Sequence, residues 1–365
     1  MGVNIVKIDE AGLKATIEVL MRGGVAVIPT DTVYGLAAHP AHSAAVERLY
    51  AIKQRDAKKP IALLASDVEG AARFLGALSK DAARLASRYW PGALTLVLPT
   101  SRGNFEGLRV PNHEWTRELI RRCGGVLRVT SANLSGRLAA TDVLSVLAEG
   151  GLSADLVVDD GVSPGGVAST VVKVDDGAIT VLREGPVKFL TLASGSPRRA
   201  KILRDLGVDF MVVKSDAPEV AYLDDPERTV RENALAKGAT VSNRGGRFLS
   251  ADTIVWFNGK IYGKPKDLDE AKVFLRTLSG QTHVVFTGVA YDGDVKVVKS
   301  YVTFQRLTDA TIDEYVARVK PTDRAGAYDI DESGDLIVAS YSGSYENIMG
   351  LPIEPLREWG IGESK

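Results

Sequence analysis

Residues 192–207 read LASGSPRRAKILRDLG, and this stretch holds the pattern that decides the fold. An apolar strand end is followed by a turn of small residues and by Pro197 at the first position of a predicted helix. The apolar residues that recur at helical spacing after it are Ile202, Leu203 and Leu206. Arg198 and Arg199 then lie in the first turn, where the helix dipole disfavours cations by a few tenths to about 1 kcal/mol. Two arginines at this end indicate that an anion binds there.

The rest of the chain repeats this alternation of short β-type runs and amphipathic helical segments, which is typical of α/β proteins. We predict two α/β domains, each a twisted mixed sheet flanked by helices, because 365 residues exceed one typical core. An apolar hairpin over 168–185, turning at Asp176 and Gly177, is ended by Pro186, and a new apolar run follows without a flexible linker. We therefore place the domains at 1–187 and 188–365.

Bulk composition restricts the functional classes. A net charge of −1 gives no overall field toward DNA or a membrane surface, and no apolar run reaches the length of a membrane helix. The single cysteine, Cys123, cannot form an internal disulfide, which with the absence of a signal peptide favours a cytoplasmic protein. Metal-ligand spacing is absent among the four histidines, His39, His42, His113 and His283, so the sequence does not favour structural zinc.

Polar residues follow two predicted strands of the first half. Thr30, Asp31 and Thr32 come directly after one, and GVLRVT (125–130) leads into SANLSG (131–136) with Ser131 and Asn133. Ligands often dock at such strand ends, and small donors of this kind can hold a phosphate or a ribose. Ordinary turns with capping hydroxyls explain both segments equally well.

A basic cluster lies at the end of the helix predicted over 43–55. Its members are Lys53, Arg55, Lys58 and Lys59. Cations at this end complement the helix dipole and are usually solvated, so the cluster alone does not indicate a ligand.

In their order along the chain these motifs resemble the YrdC-like family of threonylcarbamoyl-AMP synthases. The matching segments are PTDTVYGL (29–36), KQR and KP (53–60), WPGALTLVL (90–98), LRVP (108–111), SANLSG (131–136), STVV (169–172) and REG (183–185). The resemblance covers nearly all of residues 5–187. It implies that L-threonine, bicarbonate or CO₂, and ATP are joined to threonylcarbamoyl-adenylate and pyrophosphate, in support of tRNA threonylcarbamoyladenosine modification and its partner enzymes.

The resemblance also implies roles for single residues. ATP contacts would come from Lys53, Arg55, Lys59, Ser131, Asn133 and Arg183, and threonine contacts from Thr32, Arg109 and Ser169. These residue types suit the chemistry, because cations and Mg²⁺ offset a triphosphate and an arginine fork accepts a carboxylate. The alternative from another class is a nucleotide- or RNA-binding regulator with degenerate sites, against which the intact Lys53 and Arg55 argue.

Asp252 is the most informative residue of the second half. It stands in an apolar run, FLSADTIVWF (248–257), where we expect a strand that ends at Asp252 and Thr253 and leaves the carboxylate at least half buried. Buried charges need partners, although a cap or turn role would also explain an aspartate here. Taken singly, Glu219, Lys237 and Lys264 are equally compatible with solvated surface positions.

The ordered motifs of the second half resemble the Maf family of nucleoside triphosphate pyrophosphatases. They are SGSPRR (194–199), ADT (251–253), GKP (263–265), LSG (278–280) and AGAY (325–328), within residues 188–362. The resemblance implies that Asp252 is a general base and that a divalent cation such as Mg²⁺ binds near Glu219. It further implies substrate or phosphate contacts for Ser194, Arg198, Arg199, Lys237 and Lys264. Hydrolysis would yield a nucleoside monophosphate and pyrophosphate.

Three positions bear on the nucleotide in this family. The branch acting on dTTP and UTP has Arg, Thr and Gln where this chain has Arg198, Thr253 and Asp331. The branch acting on 7-methylguanosine triphosphate has an acidic residue near the third position and an aromatic one near the first. Two matches favour pyrimidine nucleotides, and 7-methylguanosine triphosphate or another modified nucleotide is the alternative.

Overall fold

The computed structural model describes residues 3–56, 58–101, 103–148, 153–175, 178–241 and 247–362. It divides into two compact units, Met1–Lys188 and Phe189–Lys365. Each unit contains a mixed sheet with flanking helices, which confirms the predicted fold class. None of the described helices combines the length and apolar character needed to span a membrane.

The N-terminal unit is built from short strands and six helices within the described residues. Its strands are β1 (Asn4–Lys7), β2 (Val25–Ile28), β3 (Gly35–Ala38), β4 (Leu63–Ala65), β5 (Leu94–Pro99), β6 (Phe105–Arg109), β7 (Val126–Ser131), β8 (Leu156–Asp159), β9 (Thr170–Asp175) and β10 (Ala178–Arg183). Its helices are α1 (Glu10–Met21), α2 (Ser43–Lys53), α3 (Val68–Leu75), α4 (Lys80–Tyr89), α5 (Glu114–Arg122) and α6 (Val143–Ala148).

Pairing within this sheet runs β1, β8, β2, β3, β7, β4, β6, β5, β9, β10 from one strand to the next. One apolar cluster lies beneath α2 and α6, and another lies beneath α1 and α5. β9 and β10 pair antiparallel as predicted, but the turn at 176–177 lies outside the described residues.

The register of β3 positions the first polar segment. Gly35 lies opposite Ile28 of β2 on one side and opposite Ser131 of β7 on the other. The loop that follows β2 and the segment that follows β7 therefore emerge side by side.

The C-terminal unit contains seven strands and six α-helices within the described residues. The strands are β11 (Leu190–Leu192), β12 (Phe210–Val212), β13 (Phe248–Phe257), β14 (Lys260–Tyr262), β15 (Thr282–Tyr291), β16 (Asp294–Phe304) and β17 (Val338–Ser342). The helices are α7 (Pro197–Asp205), α8 (Pro226–Ala239), α9 (Leu268–Leu278), α10 (Asp309–Val319), α11 (Tyr345–Met349) and α12 (Ile353–Glu358). β12, β11 and β13 are parallel neighbours, and β13, β15, β16 and β17 follow antiparallel.

α7 begins at Pro197 as predicted and buries Ile202 and Leu203. The prediction that the next long strand ends at Asp252 and Thr253 is wrong, because β13 continues to Phe257. A buried carboxylate does not interrupt this strand, since side chains of another element meet its hydrogen-bonding needs.

A glycine opposite Asp252 lets α8 approach the sheet closely. Gly288 of β15 is the cross-strand partner of Asp252. A Cβ atom on Gly288 would lie 2.3 Å from the carbonyl oxygen of Val230 in α8, a distance that real Cβ atoms do not reach. Glycine is required here by close backbone packing, and that packing brings the inner face of α8 over Asp252.

Candidate functional sites

Asp252 is the centre of the candidate site in the C-terminal unit. The residue is 5% exposed. Asn233 Nδ2 donates to its Oδ2 (2.9 Å), and Lys237 Nζ donates to its Oδ1 (2.6 Å). Asn233 and Lys237 are four residues apart on α8, so the helix presents both on one face. Each carboxylate oxygen thus has a hydrogen-bond donor on α8.

Lys237 connects two carboxylates. Its ammonium also lies 2.7 Å from Glu219 Oε1, and the Glu219 side chain is largely exposed. One buried and one exposed carboxylate therefore face the same small volume. No group of three or more His, Cys, Asp or Glu residues suited to a metal occurs within the described parts of the chain.

Asn233 also fixes the segment that carries Glu219. Its Oδ1 accepts from the Val220 amide (2.8 Å), and its Nδ2 donates to the Val220 carbonyl (3.0 Å) as well as to Asp252. A single buried amide side chain therefore holds the two carboxylates of the site in a constant relation.

Arg199 directs its guanidinium toward protein acceptors. Nε donates to the Gly350 carbonyl (2.7 Å), Nη1 to Ser194 Oγ (3.1 Å) and Nη2 to Thr253 Oγ1 (3.0 Å). Burial lowers the pKa of Arg199 to about 10, although Asp252 acts in the opposite direction. Among the described residues these contacts use three of its five N–H donors, which leaves two that can face a ligand.

Arg198 lies between two acidic side chains. Its Nη1 is 3.5 Å from Asp323 Oδ2 and 3.5 Å from Asp329 Oδ2. Asp331, the third position of the predicted specificity set, instead accepts from the Tyr345 hydroxyl (3.1 Å) and lies 3.7 Å from Lys201.

These elements enclose a cavity of about 400 Å³. Eight of the predicted residues line it: Ser194, Arg198, Arg199, Glu219, Lys237, Asp252, Thr253 and Lys264. Asp331 does not line it, within the part of the chain that is described. Lys264 follows β14 and is exposed, with no ion pair to the described residues.

In the N-terminal unit, Lys53 anchors the segment after β7. Lys53, at the end of α2, is 2% exposed, and its ammonium donates to the carbonyls of Ser131 (2.5 Å) and Asn133 (2.7 Å). It also contacts Ser131 Oγ (3.2 Å) and Asn133 Oδ1 (3.0 Å). Lys53 thus brings the basic cluster into contact with the SANLSG segment, which lies about eighty residues later in the chain.

Arg109, at the end of β6, meets the loop after β2. Nη1 donates to Thr32 Oγ1 (2.9 Å), Nε donates to the Gly92 carbonyl (2.8 Å), and Nη2 pairs with Asp31. Burial lowers the pKa of Arg109, and the Asp31 carboxylate opposes that effect. The guanidinium is held rigidly among buried groups.

Arg183 brings further positive charge to the same unit. It donates to the Ser169 carbonyl (2.7 Å) and to Ser169 Oγ (3.1 Å). Burial lowers the pKa of Arg183, and the charge of Arg55 lowers it further. Arg55 itself donates to the carbonyls of Lys59 (2.9 Å) and Pro60 (3.2 Å), while the Lys59 side chain is exposed.

Sequence reasoning assigned no role to several residues that shape these sites. They are Asn233, Asp323, Arg324 and Asp329. The spacing of Asn233 four residues before Lys237 was an available signal for Asn233. Asp329 lines the cavity and Asp331 does not. No local sequence pattern predicts this difference, because it depends on the fold.

Two family models match the chain. The Sua5/YciO/YrdC model, described as "Telomere recombination", matches residues 18–185, and the model described as "Maf-like protein" matches residues 189–359.

Individual relatives agree with this division. A dTTP/UTP pyrophosphatase of Desulfitobacterium hafniense (strain Y51) is 42% identical over 196 residues, covering 49% of this chain and 88% of the relative. Another dTTP/UTP pyrophosphatase, from Bacillus cereus (strain B4264), is 42% identical over 177 residues, covering 47% of this chain and 93% of the relative.

A solved structure resembles the chain as well. The crystal structure of P. abyssi Sua5 complexed with L-threonine matches with a TM-score of 0.50 and 26% identity, covering 58% of this chain. The match spans 63% of the length of that protein.

The cavity around Asp252 lies within the segment matched by the Maf-like model, and the Lys53 and Arg109 clusters lie within the other matched segment. The preceding segment, residues 18–185, matches the Sua5/YciO/YrdC model, and through residues 189–359 the chain belongs to the Maf-like family.

Proposed function

We propose that the C-terminal unit hydrolyses nucleoside triphosphates of the dTTP/UTP type to the monophosphate and pyrophosphate. We also propose that the N-terminal unit forms threonylcarbamoyl-adenylate from L-threonine, bicarbonate and ATP. The observation that carries the first proposal is the buried Asp252 carboxylate, held by Asn233 and Lys237 at the wall of a cavity of about 400 Å³. Relatives named dTTP/UTP pyrophosphatase support the choice of nucleotide.

The hydrolytic step needs a base and compensation of charge. Water attacks the α-phosphorus, the bond to the α,β-bridging oxygen breaks, and Asp252 takes the proton of the water. Lys237 and Lys264 line the same cavity and would stabilise the departing pyrophosphate. Arg199 keeps Ser194 and Thr253 in fixed positions along the wall.

The residues present fit a divalent cation. Glu219 and Asp252 converge on the Lys237 ammonium, and Mg²⁺ commonly binds one or two carboxylates together with substrate phosphates. Glu219 would therefore hold the ion together with the substrate phosphates, and Asp252 remains the base. When bound, the ion supplies further charge compensation for the triphosphate.

For the N-terminal unit, the carrying observation is the buried Arg109 fork beside Thr32. Its contacts with Gly92, Thr32 and Asp31 use three of the five N–H donors, and the other two would bind the carboxylate of threonine. The threonine amine would add to CO₂ derived from bicarbonate and lose a proton, which gives a carbamate. A carbamate oxygen would then attack the α-phosphorus of ATP, and the bond to the α,β-bridging oxygen would break to release pyrophosphate, with Arg55, Lys59 and Arg183 near the phosphates. The product would be consumed by an enzyme that transfers the threonylcarbamoyl group to tRNA.

Asp252→Asn tests the base. Pyrophosphate release from UTP and dTTP is expected to fall by about 10²-fold or more, while release that depends on ATP, threonine and bicarbonate persists. Asp313→Asn, which removes a surface ion pair with Lys272 in the same unit, is the matched control. Full UTP hydrolysis by Asp252→Asn would rule out the general-base role.

Arg55→Ala tests the other unit. Loss of the threonine-dependent pyrophosphate release is expected, with UTP hydrolysis unchanged. Lys58→Ala, in the same basic cluster but without an implied contact, serves as the control. Parallel loss of both activities in Arg55→Ala would contradict two separate sites.

A further inference from the structure

We propose that Lys214 binds the γ-phosphate of the nucleotide in the C-terminal cavity, so that this unit distinguishes a nucleoside triphosphate from a diphosphate. The inference rests on the proposed pyrophosphatase function and adds a binding residue to that site. Lys214 lies outside the sequence motifs of the second half, and its role follows from where the fold places it.

The strand order places Lys214 at a distance from Asp252. β12, β11 and β13 are parallel neighbours in that order, so one strand separates β12 from β13. Leu192 of β11 pairs with Val212 on one side and with Leu249 on the other. Lys214 and Asp252 follow these two partners by two and three residues, which puts them at nearly the same level of the sheet. Since neighbouring strands are about 4.8 Å apart, the two main chains are about 10 Å from each other.

A glycine between the two positions lets the Lys214 side chain lie across the sheet edge. Gly195 belongs to the turn between β11, the middle strand, and α7. A Cβ atom on Gly195 would lie 3.2 Å from both Cγ and Cε of Lys214, which is closer than ordinary contact. The aliphatic stem of the lysine therefore rests on this turn. Lys214, Gly195 and Asp252 all line the same cavity.

The charge of Lys214 is available to a ligand. Other cations of the cavity are engaged with the protein: Lys237 pairs with Glu219 and Asp252, and Arg199 donates to three protein acceptors. Lys214 is exposed and makes no ion pair with the described residues. A terminal phosphate carries nearly two negative charges at pH 7 and is a strong acceptor for an ammonium group.

The spacing assigns the phosphates in order. When the α-phosphorus is beside Asp252, a triphosphate that extends toward β12 passes the turn at Gly195 with its β-phosphate and reaches Lys214 with its γ-phosphate. A diphosphate in the same position ends one phosphate short of the lysine. Lys214 therefore adds affinity for the triphosphate alone.

The test compares Lys214→Met with Lys299→Met, using calorimetric affinities for UTP, UDP and UMP without metal. Methionine keeps an unbranched stem over Gly195 and removes the charge. Lys299 is an exposed lysine of β16 that is not among the described lining residues, so Lys299→Met controls for the loss of a surface charge. In Lys214→Met we expect the affinity for UTP to fall about tenfold and the affinities for UDP and UMP to change less than about twofold. Lys299→Met should leave all three within about twofold of the wild type.

The comparison of UTP with UDP guards against other causes. A general loss of positive potential lowers both affinities together, and partial misfolding changes the active fraction but not their ratio. Lys214→Arg restores the charge and should bring the affinity for UTP back to within about threefold of the wild type. An equal fall for UTP and UDP in Lys214→Met, or no fall for UTP, overturns the proposal.

Binding also separates this proposal from the proposed function. If the wild-type protein hydrolyses UTP, KM for UTP should rise about tenfold in Lys214→Met. If it does not, the function fails, and the three affinities still test the role of Lys214. A preference for UTP over UDP that Lys214→Met abolishes supports that role. A wild-type protein that binds UTP no more tightly than UDP refutes it.

Discussion

Gly288→Ala tests whether the closeness of α8 to the sheet controls the chemistry. The new Cβ atom would lie 2.3 Å from the carbonyl oxygen and 2.6 Å from the carbonyl carbon of Val230. Both contacts are with main-chain atoms, so no rotation of a side chain can relieve them. α8 must therefore move away from β15.

The size of the effect follows from these distances. Ordinary contact begins near 3.4 Å, so the helix must shift by about 1 Å, and overpacking of this kind costs about 1–3 kcal/mol of stability. Asn233 and Lys237 move with the helix, whereas Asp252 stays on β13. A displacement of about 1 Å in a positioned catalytic group can lower a rate by about 10²-fold.

The assay is pyrophosphate release from UTP, with the thermal midpoint measured on the same samples. Gly334→Ala is the control, because its Cβ would meet nothing closer than the Asp329 carbonyl at 3.5 Å. We expect activity to fall about 10²-fold in Gly288→Ala and less than about twofold in the control. A Gly288→Ala protein with normal activity would refute the argument that α8 sets the geometry of Asp252.

Two further predictions concern buried groups. Lys53→Met leaves the carbonyls of Ser131 and Asn133 without their donor, so the N-terminal unit should lose about 3 kcal/mol and melt several degrees lower by calorimetry. Burial lowers the pKa of His283 to about 4 in the folded protein. As the pH falls, this histidine is therefore protonated in the unfolded chain before it is protonated in the folded one. Stability should therefore decline between about pH 6.5 and pH 4 by up to about 3 kcal/mol, and His283→Gln should flatten this decline in thermal melts.

Local sequence patterns were sufficient to predict part of the fold and some features of the candidate site. The start of α7 at Pro197 follows from a helix-start pattern within four residues, and the burial of Asp252 follows from its apolar neighbours. Both depend on interactions between residues close in sequence. The mixed α/β class follows in the same way from alternating periodicities.

Long-range packing determined what the sequence did not predict. β13 continues beyond Asp252 because Asn233 and Lys237 reach it from α8, and that approach depends on Gly288 in a later strand. The pairing of Asp31 with Arg109 joins residues 78 positions apart. Apart from the four-residue spacing that places Asn233 and Lys237 on one face of α8, no periodicity or spacing in the sequence encodes these contacts.

The two hydrogen bonds between the Asn233 side chain and the segment that carries Glu219 determine which substitutions that segment tolerates. Both contacts are with the main chain of Val220, whose side chain is exposed. Any amino acid except proline offers the same amide and carbonyl, so residue 220 is open to substitution while Glu219 keeps its place. The rim of the cavity can thus diversify, in evolution or in the laboratory, while Asp252 and Glu219 keep their positions.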